Sequence, residues 1–453
     1  MADPSPPPAP GAVAAPGSTT STGTSSSSSG ATAYKAPTSN RALRMMGLPN
    51  LPKKLPSRNW MIFWTLTAAF SGAIVYDKRE KKRATARWAR AVSHLAREPI
   101  ASPSQLPRKL TIYLESPPGD GLRAAQDHYT EYVKPVLAAS GLDWEFVQGR
   151  QQGDVRAAVA ERIRRARAPP ADGGAAAAAE ELTKEEIVRR VRGTNKTPEY
   201  EGVQGDIVIG RHTWKEYVRG IHEGWLGPLT APVVAEPVDI SGAADESKAG
   251  EATEKKEEEE KKPERPPQIP PYNTTDDYPT SSLPMIMPAE FSPSTTIGFP
   301  HILGFSNTFT RLGRFLNRRK LADDIGREVA AVCFAAAREY KEDDAEPEQQ
   351  MALVHEERDW PKSVWQEEKP DDKDAEAKPS ALTKEAIWTK PVVLDPRISM
   401  RMRRFELSAD EQARAQEIVV PEEEVEGWIK GSLRGVWRWA TTKPEPKSTW
   451  VDE

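Results

Sequence analysis

The stretch SPPGDGLRAA, residues 116–125, comes nearest to a ligand-binding motif in this sequence. A glycine-rich loop between a strand and a helix can hold a phosphate group, because the N-terminus of the helix offers free N–H groups. The spacing matches neither GxGxxG nor GxxxxGK[ST], the common nucleotide-binding loops. Asp120, between Gly119 and Gly121, would also repel an anion. We therefore predict no nucleotide and no other cofactor at this loop.

Histidine, cysteine and serine patterns indicate no other chemistry. The six histidines are scattered without HExxH spacing, and a single cysteine, Cys333, excludes an internal disulfide and a cysteine-based zinc site. The sequence holds no GxSxG motif. His212 and His222 are interpreted as packing or surface residues, and Cys333 as a small core residue. The prediction is that the chain has no catalytic residue and no metal ligand, and is not an enzyme.

Three short apolar runs must position these loops, and each is followed by a segment of helical periodicity. The runs are KLTIYL (109–114), DWEFV (143–147) and GDIVIG (205–210), and the helical segments are 122–140, 153–167 and 212–226. Strands that alternate with helices predict βαβ units and a parallel sheet. The predicted fold class is α/β: a small parallel-sheet domain over residues 106–230, covered by helices and anchored by one N-terminal transmembrane helix.

That anchor is the uncharged run WMIFWTLTAAFSGAIVY, from Trp60 to Tyr76. As a helix it would be about 26 Å long, slightly short of a 30 Å hydrocarbon core. Basic residues flank both ends, and aromatic residues at each end favour the membrane interface. A buried helix of a soluble core is the alternative. The predicted anchor residues are Trp60, Met61, Ile62, Phe63, Trp64, Leu66, Phe70, Ile74, Val75 and Tyr76.

The helix is expected to continue to Pro99 as a basic amphipathic stretch. Trp88, Val92 and Leu95 share one face, so this part either lies on an anionic membrane surface or forms a solvated stalk. The charges on the two sides of the apolar run nearly balance, so they do not orient the predicted single span. Residues 59–98 thus form the transmembrane and juxtamembrane segment.

Composition divides the rest of the chain. The other predicted segments are a disordered Pro/Ser/Ala-rich and then basic tail (1–58), a charged Pro-rich linker (231–291), a helical continuation of the domain (292–345) and a Trp-rich C-terminal segment with a terminal helix (346–453). Within the continuation, Ile325, Val329, Val332 and Cys333 are predicted to face inward. The terminal helix should begin at Pro421, with its Trp-rich face packed on the domain. A net charge of −4 gives no nucleic-acid signature.

Two family resemblances bear on function. The first glycine loop resembles that of the nucleotide-binding domain of diacylglycerol kinases, but where those proteins have GGDGT this sequence has GRHTW, Gly210 to Trp214. The segments LPSRNWMIFWTLTAAFSGAIVYDKREKKRATARWARAVSHL, PRKLTIYLESPPGDGL and ISMRMRRFELS resemble another family. The family that they resemble is the fifty-four-kilodalton subunit of the carrier translocase of the mitochondrial inner membrane.

The second resemblance implies a single-pass inner-membrane protein with a large C-terminal domain in the intermembrane space. It implies a scaffold for inserting multi-spanning carrier proteins, whose partners are the channel-forming subunit, the small intermembrane-space chaperone complexes, carrier precursors and the membrane. One alternative is a membrane-anchored enzyme, or a degenerate relative of the diacylglycerol-kinase domain, that uses the Gly119–Gly121 loop. Another is a tether in a different membrane.

Overall fold

The computed structural model describes residues 57–99, 105–167, 191–195, 200, 202–231, 268–341, 347–365 and 385–441. Almost all of the predicted tail 1–58 and the most charged part of the predicted linker lie outside these residues. The chain divides into two compact units, Met1–Leu66 and Thr67–Glu453.

The long helix α1 (Arg58–Val92) contains the predicted anchor. Within the first unit its aromatic side chains contact one another, with 6.3 Å between the ring centroids of Trp60 and Trp64 and 5.7 Å between those of Trp60 and Phe63. Every predicted anchor residue is exposed except the half-buried Ile74. In the part of the chain that the structure describes, no helix is both long and apolar enough to cross a membrane.

The described strands of the second unit form one six-stranded sheet in the order β2–β1–β3–β4–β6–β5. They are β1 (Lys109–Glu115), β2 (Asp143–Gly149), β3 (Asp206–Ile209), β4 (Ser294–Ile297), β5 (Ala337–Glu339) and β6 (Arg403–Phe405). All neighbours pair in parallel except β5 and β6, which are antiparallel. The α/β class and the parallel sheet are thus confirmed.

Helices separate the strands of this unit along the chain, and three more described helices follow the last strand. They are α2 (Leu122–His128), α3 (Lys134–Ser140), α4 (Asp154–Arg167), α5 (Arg211–Leu226), α6 (Thr308–Phe315), α7 (Arg318–Cys333), α8 (Glu348–Met351), α9 (Pro396–Ser399), α10 (Ala409–Glu417), α11 (Glu422–Val425) and α12 (Trp428–Thr441). A π-helical turn, Tyr129–Val133, joins α2 to α3. Gly141 ends α3 in the left-handed conformation at φ +72°, where a side chain would be strained.

Alternating side chains of β1 supply both faces of the sheet. Leu110, Ile112 and Leu114 enter one core, which includes residues of α1, α2, α3 and α7, and Tyr113 enters a second core with residues of α4, α5 and α9. Parallel sheets are normally covered by helices on both faces, because crossover helices can lie on either side. The predicted inward residues of α7 are all buried, including Cys333.

The juxtamembrane prediction is wrong in both of its alternatives. Trp88 and Val92 are buried in the first core, so the apolar face of α1 packs on the domain rather than on a membrane or in water. The indole Nε1–H of Trp88 donates to Asp323 Oδ1 at 2.6 Å. Gly326 of α7 makes room for the ring, since a Cβ there would lie 2.2 Å from Trp88 Cδ1.

Distant parts of the chain complete the same sheet and its helical cover. Asn273, from the predicted linker, accepts a hydrogen bond from Arg219 of α5 at 2.9 Å. β6 comes from the predicted C-terminal segment and buries Phe405. The predicted single terminal helix is two helices, α11 and α12. The predicted packing of the Trp-rich face is wrong, because Trp437 and Trp439 of α12 are 68% and 83% exposed.

Candidate functional site

The carboxyl edge of the sheet is the place to look for a ligand site, since open α/β sheets bind ligands beyond the carboxyl ends of their strands. Helices α2, α4 and α5 each begin there, directly after β1, β2 and β3. A free helix N-terminus at this edge would attract a phosphate group. The occupants of these three helix N-termini therefore decide what the edge can bind.

The predicted glycine loop supplies its own anion at the start of α2. Gly119 has φ +84°, and its Cα faces Leu303 and Pro361 so closely that a Cβ would lie 3.0 and 3.2 Å from them. The Asp120 carboxylate accepts a hydrogen bond from the N–H of Gly121 at 2.8 Å. Its other oxygen lies 3.7 Å from His301 Nε2. The half-exposed Asp120 carboxylate thus places a negative charge beside the start of α2.

Glu356 fills the start of α5, the place of the kinase GGDGT segment. Its two carboxyl oxygens accept hydrogen bonds from the N–H groups of Arg211 at 2.9 Å and Phe299 at 2.6 Å. Gly210, directly before Arg211, has φ +88°. Burial raises the pKa of Glu356 to about 7, although both hydrogen bonds act in the opposite direction. An internal carboxyl thus takes a backbone N–H at the start of α5, where a phosphate would bind, and a second N–H just beyond β4.

Glu216 fills the start of α4 in the same manner. The carboxylate, which belongs to α5, accepts from the N–H groups of Gly153 at 2.6 Å and Arg156 at 3.2 Å. The indole of Trp388 donates to it at 3.1 Å. Glu115, at the end of β1, lies beside it, and burial together with the charge of Glu216 raises the pKa of Glu115 well above its ordinary range.

Charged side chains of α5 bind the segments that cover this edge. Every residue of α5 is buried. Lys215 pairs with Glu357 at 2.8 Å, and Arg219 pairs with Glu385 at 3.0 Å. Buried charges need such partners because desolvation without them is costly. Residues 352–360 and 385–390 are therefore fixed over the edge by specific ion pairs.

His212 at the start of α5 and His222 near its end are both buried and have packing roles, as predicted. His212 Nε2 lies 3.2 Å from the carbonyl oxygen of Glu115, and His222 lies between the carbonyl of Val218 and the N–H of Asp395. Burial lowers the pKa of both rings to about 4. In the described residues, no group of three or more His, Cys, Asp or Glu side chains has an arrangement that could hold a metal ion.

Sequence reasoning missed Glu356 and Glu216. The acidic runs look like solvated faces, and nothing in their neighbours distinguishes a carboxylate that caps a remote helix. The tertiary fold brings Glu356 to α5 from a position 145 residues further along the chain. Only the absence of a phosphate motif at Gly210–Trp214 indicated that this position has another use.

The open surfaces of the domain lie elsewhere. Helix α12 exposes a set of apolar side chains. Helix α6 and Phe305, three residues before it, expose a second set. They are Leu433, Val436, Trp437 and Trp439 on α12, and Phe305, Phe309, Leu312 and Phe315 around α6. Large exposed apolar patches mark contacts with proteins or membranes. The geometry thus favours surface binding over a ligand pocket at the sheet edge.

Comparison with known proteins identifies the family. A family model described as "Inner membrane protein import complex subunit Tim54" matches residues 40–405. The chain is 55% identical over 423 residues to the Neurospora crassa mitochondrial import inner membrane translocase subunit tim54, covering 89% of this chain and 88% of the relative. It is 43% identical over 408 residues to the Aspergillus oryzae subunit, covering 82% and 89%.

A more distant relative has the same name. The Schizosaccharomyces pombe subunit tim54 is 30% identical over 367 residues, which cover 79% of this chain and 95% of the relative. The family model covers two of the three segments on which the resemblance to the fifty-four-kilodalton translocase subunit rests, and most of the third, so that prediction is confirmed. The chain belongs to the Tim54 family of subunits of the mitochondrial inner membrane protein import complex.

Proposed function

We propose that this chain is a non-catalytic docking scaffold of the translocase that inserts multi-spanning carrier proteins into the mitochondrial inner membrane. The observation that carries the proposal is that side-chain carboxyls fill two helix N-termini at the carboxyl edge of the sheet. Glu356 and Glu216 accept hydrogen bonds from N–H groups at the starts of α5 and α4. Asp120 places a further negative charge beside the start of α2, where a nucleotide phosphate would bind. Binding then depends on the outer surfaces, which suits a protein that holds other subunits together.

The apolar half of α1 is the proposed membrane anchor. Trp60 and Tyr76 end a run without charges, and their side chains are 56% and 57% exposed. Such side chains gain free energy when lipid replaces water around them. We propose one span and a C-terminal domain in the intermembrane space. The proposed order in the complex places the channel-forming subunit beside this helix and the small chaperone complexes, with their carrier precursors, on the domain.

Membrane attachment is tested in mitochondria by carbonate extraction, combined with protease treatment of a C-terminal epitope. We expect the chain to resist carbonate, and the epitope to be cleaved only after the outer membrane is ruptured. Extraction by carbonate would show that α1 does not span the bilayer. Cleavage in intact mitochondria would place the domain outside the intermembrane space.

The exposed row on α12 is the proposed contact with an apolar surface of a partner subunit. Trp437 and Trp439 are enriched residue types at protein interfaces, and both remain exposed in this chain. The test replaces both tryptophans with serine in mitochondria. The matched control is Val419→Ser, at a side chain that is 84% exposed in the segment before α11.

We expect the double variant to lose co-isolation of other translocase subunits and to slow insertion of a carrier precursor. The control should change neither. Normal assembly and insertion in the double variant would contradict a docking role for α12. Purified full-length protein should also show no saturable ATP binding. Saturable binding that Glu356→Gln alters would favour the enzyme alternative instead.

A further inference from the structure

Helix α6 is an amphipathic helix whose apolar side chains the rest of the described chain covers only in part. Phe305 and Phe309 are 95% and 85% exposed, Leu312 is 40% exposed, and no residue of α6 is buried. A hydrogen bond from the N–H of Thr308 to the carbonyl of Phe305 holds the first phenylalanine at the start of the helix. Two aromatic rings in water cost free energy that a contact with an apolar phase would recover.

The segment around α6 is strongly basic. From Phe291 to Ala322 the sequence has no acidic residue and five basic ones: Arg311, Arg314, Arg318, Arg319 and Lys320. Arg314 pairs with Asp359 at 2.7 Å. Arg318 lies 3.7 Å from Glu131, and Arg319 lies 3.9 Å from Asp77. Arg311 has no ion pair with any acidic residue that the structure describes. An unpaired arginine beside exposed phenylalanines matches a surface with negative charge above an apolar layer.

The junction between α6 and α7 is fixed to α1 where the apolar run ends. The Asp77 carboxylate accepts hydrogen bonds from the N–H groups of Arg318 at 3.2 Å and Arg319 at 3.3 Å, which are the first two residues of α7. The guanidinium of Arg319 lies 5.2 Å from the ring centroid of Tyr76. Tyr76, the last residue of the apolar run, therefore lies close to the junction between α6 and α7.

We propose that α6, with Phe305, lies in the interface of an anionic phospholipid bilayer and inserts Phe305 and Phe309 among the lipids. The proposal rests on the proposed membrane attachment of α1, because that attachment brings the α6–α7 junction to the bilayer surface. Arg311 then faces the lipid phosphates. The domain is held against the membrane at a second place, which restricts its rotation about α1.

The test uses the full-length protein in vesicles, with a fluorophore that reports lipid contact attached at position 309 in Phe309→Cys. The native Cys333 is only 3% exposed, so it does not compete for the label. The control carries the label in Met285→Cys, a fully exposed position in the loop before β4, whereas α6 follows β4. Vesicles contain either anionic and zwitterionic phospholipid or zwitterionic phospholipid alone, each with a lipid-borne quencher.

We expect quenching at position 309 in anionic vesicles and none at position 285. Arg311→Gln should lower the equilibrium constant for docking of α6 about fivefold, since each basic residue near an anionic surface contributes about 1 kcal/mol. Equal quenching in both vesicle types, or no quenching at position 309 while the protein stays membrane-bound, would overturn the proposal. Loss of the protein from the vesicles would instead contradict the attachment by α1.

Protection of position 309 only after other translocase subunits are added would also overturn the proposal. It would show that a protein, not lipid, covers α6. Because Phe309 is exposed, its replacement does not threaten folding, and the vesicle result therefore reports on the contact itself.

Discussion

At the scale of single residues, the protein uses carboxylates where related folds use ligand phosphates. Glu356 is the clearest case, because its carboxyl joins the backbone of α5 to that of the β4 end through Arg211 and Phe299. A carboxyl group of the chain cannot dissociate as a ligand can. The device therefore stabilises the edge of the sheet permanently and removes it from binding chemistry.

Glu356 should make stability depend on pH near neutrality. Its pKa is raised by burial from 4.5 to about 7, so between these values the folded state binds more protons than the unfolded state. The free energy of unfolding therefore falls as pH rises, by about 3 kcal/mol at most. Glu356→Gln does not titrate, but its amide nitrogen cannot accept the second backbone N–H, so the variant should be less stable than the wild type at pH 4, below both pKa values.

Urea denaturation of both proteins from pH 4 to pH 8 measures this effect. The stability advantage of the wild type over the variant should shrink as pH rises from about 4.5 to 7 and stay constant above that range. Other titrating groups, including His212 and His222, are common to both proteins and cancel in the difference. A difference in stability that does not vary with pH would contradict the buried, raised pKa of Glu356.

At the scale of elements, the sequence predicted the parts with a strong local pattern. The first three strands and the helices after them follow from apolar runs and periodicity, and α7 follows from the spacing of Ile325, Val329 and Val332. β5 and β6 have three residues each, too few for an alternating pattern to be recognised. The packing of Trp88 on α7 was not predicted. The basic face of α1 is equally typical of a membrane-surface helix, and local sequence does not show which distant segment a helix packs against.

Gly326→Ala tests that docking. A methyl group at Gly326 would lie 2.2 Å from the ring of Trp88, which is only 2% exposed and cannot move aside freely. Overpacking of this kind costs about 1–3 kcal/mol. The matched control is Gly313→Ala in α6, where nothing lies within 4 Å of the new methyl group. There the higher helix propensity of alanine should stabilise by up to about 1 kcal/mol.

Hydrogen exchange of the amides from Asp77 to Val92 provides the local measurement, beside chemical denaturation of the whole chain. Gly326→Ala should speed exchange in this part of α1 and lower stability, whereas Gly313→Ala should do neither. Unchanged exchange in Gly326→Ala would mean that α1 does not depend on this contact with α7.

At the scale of the whole molecule, one sheet is built from segments that the sequence separates widely. β6 pairs with β4, and it brings Phe405 so close to Gly205 that a Cβ on this glycine would lie 2.8 Å from the ring. Sequence composition divides the chain at the linker and again before the Trp-rich segment, but composition reports solubility and order rather than which segments pair. The carboxyls that cap α4 and α5 at the carboxyl edge could not be recognised for the same reason.

Two truncations distinguish the parts of the C-terminal segment. A chain ending at Leu394 lacks Ile398, Met402 and Phe405, each no more than 2% exposed. Loss of such side chains costs about 2–5 kcal/mol each, which together approaches or exceeds the total stability of a typical domain, about 5–15 kcal/mol. This chain should not form a protease-resistant domain. A chain ending at Gly427 lacks only α12 and the residues after it, and it should remain folded.

The second truncation loses exposed apolar side chains and surface ion pairs such as that between Lys430 and Glu422, at 3.7 Å. Exposed pairs contribute about 0–1 kcal/mol, so the melting curve should move little. Limited proteolysis and thermal melting by circular dichroism, both on detergent-solubilised protein, compare the two chains. If the chain ending at Leu394 melts like the full-length protein, β6 and α9 are not part of the folding unit. If the chain ending at Gly427 unfolds, α12 belongs to the domain and is not a surface for partners.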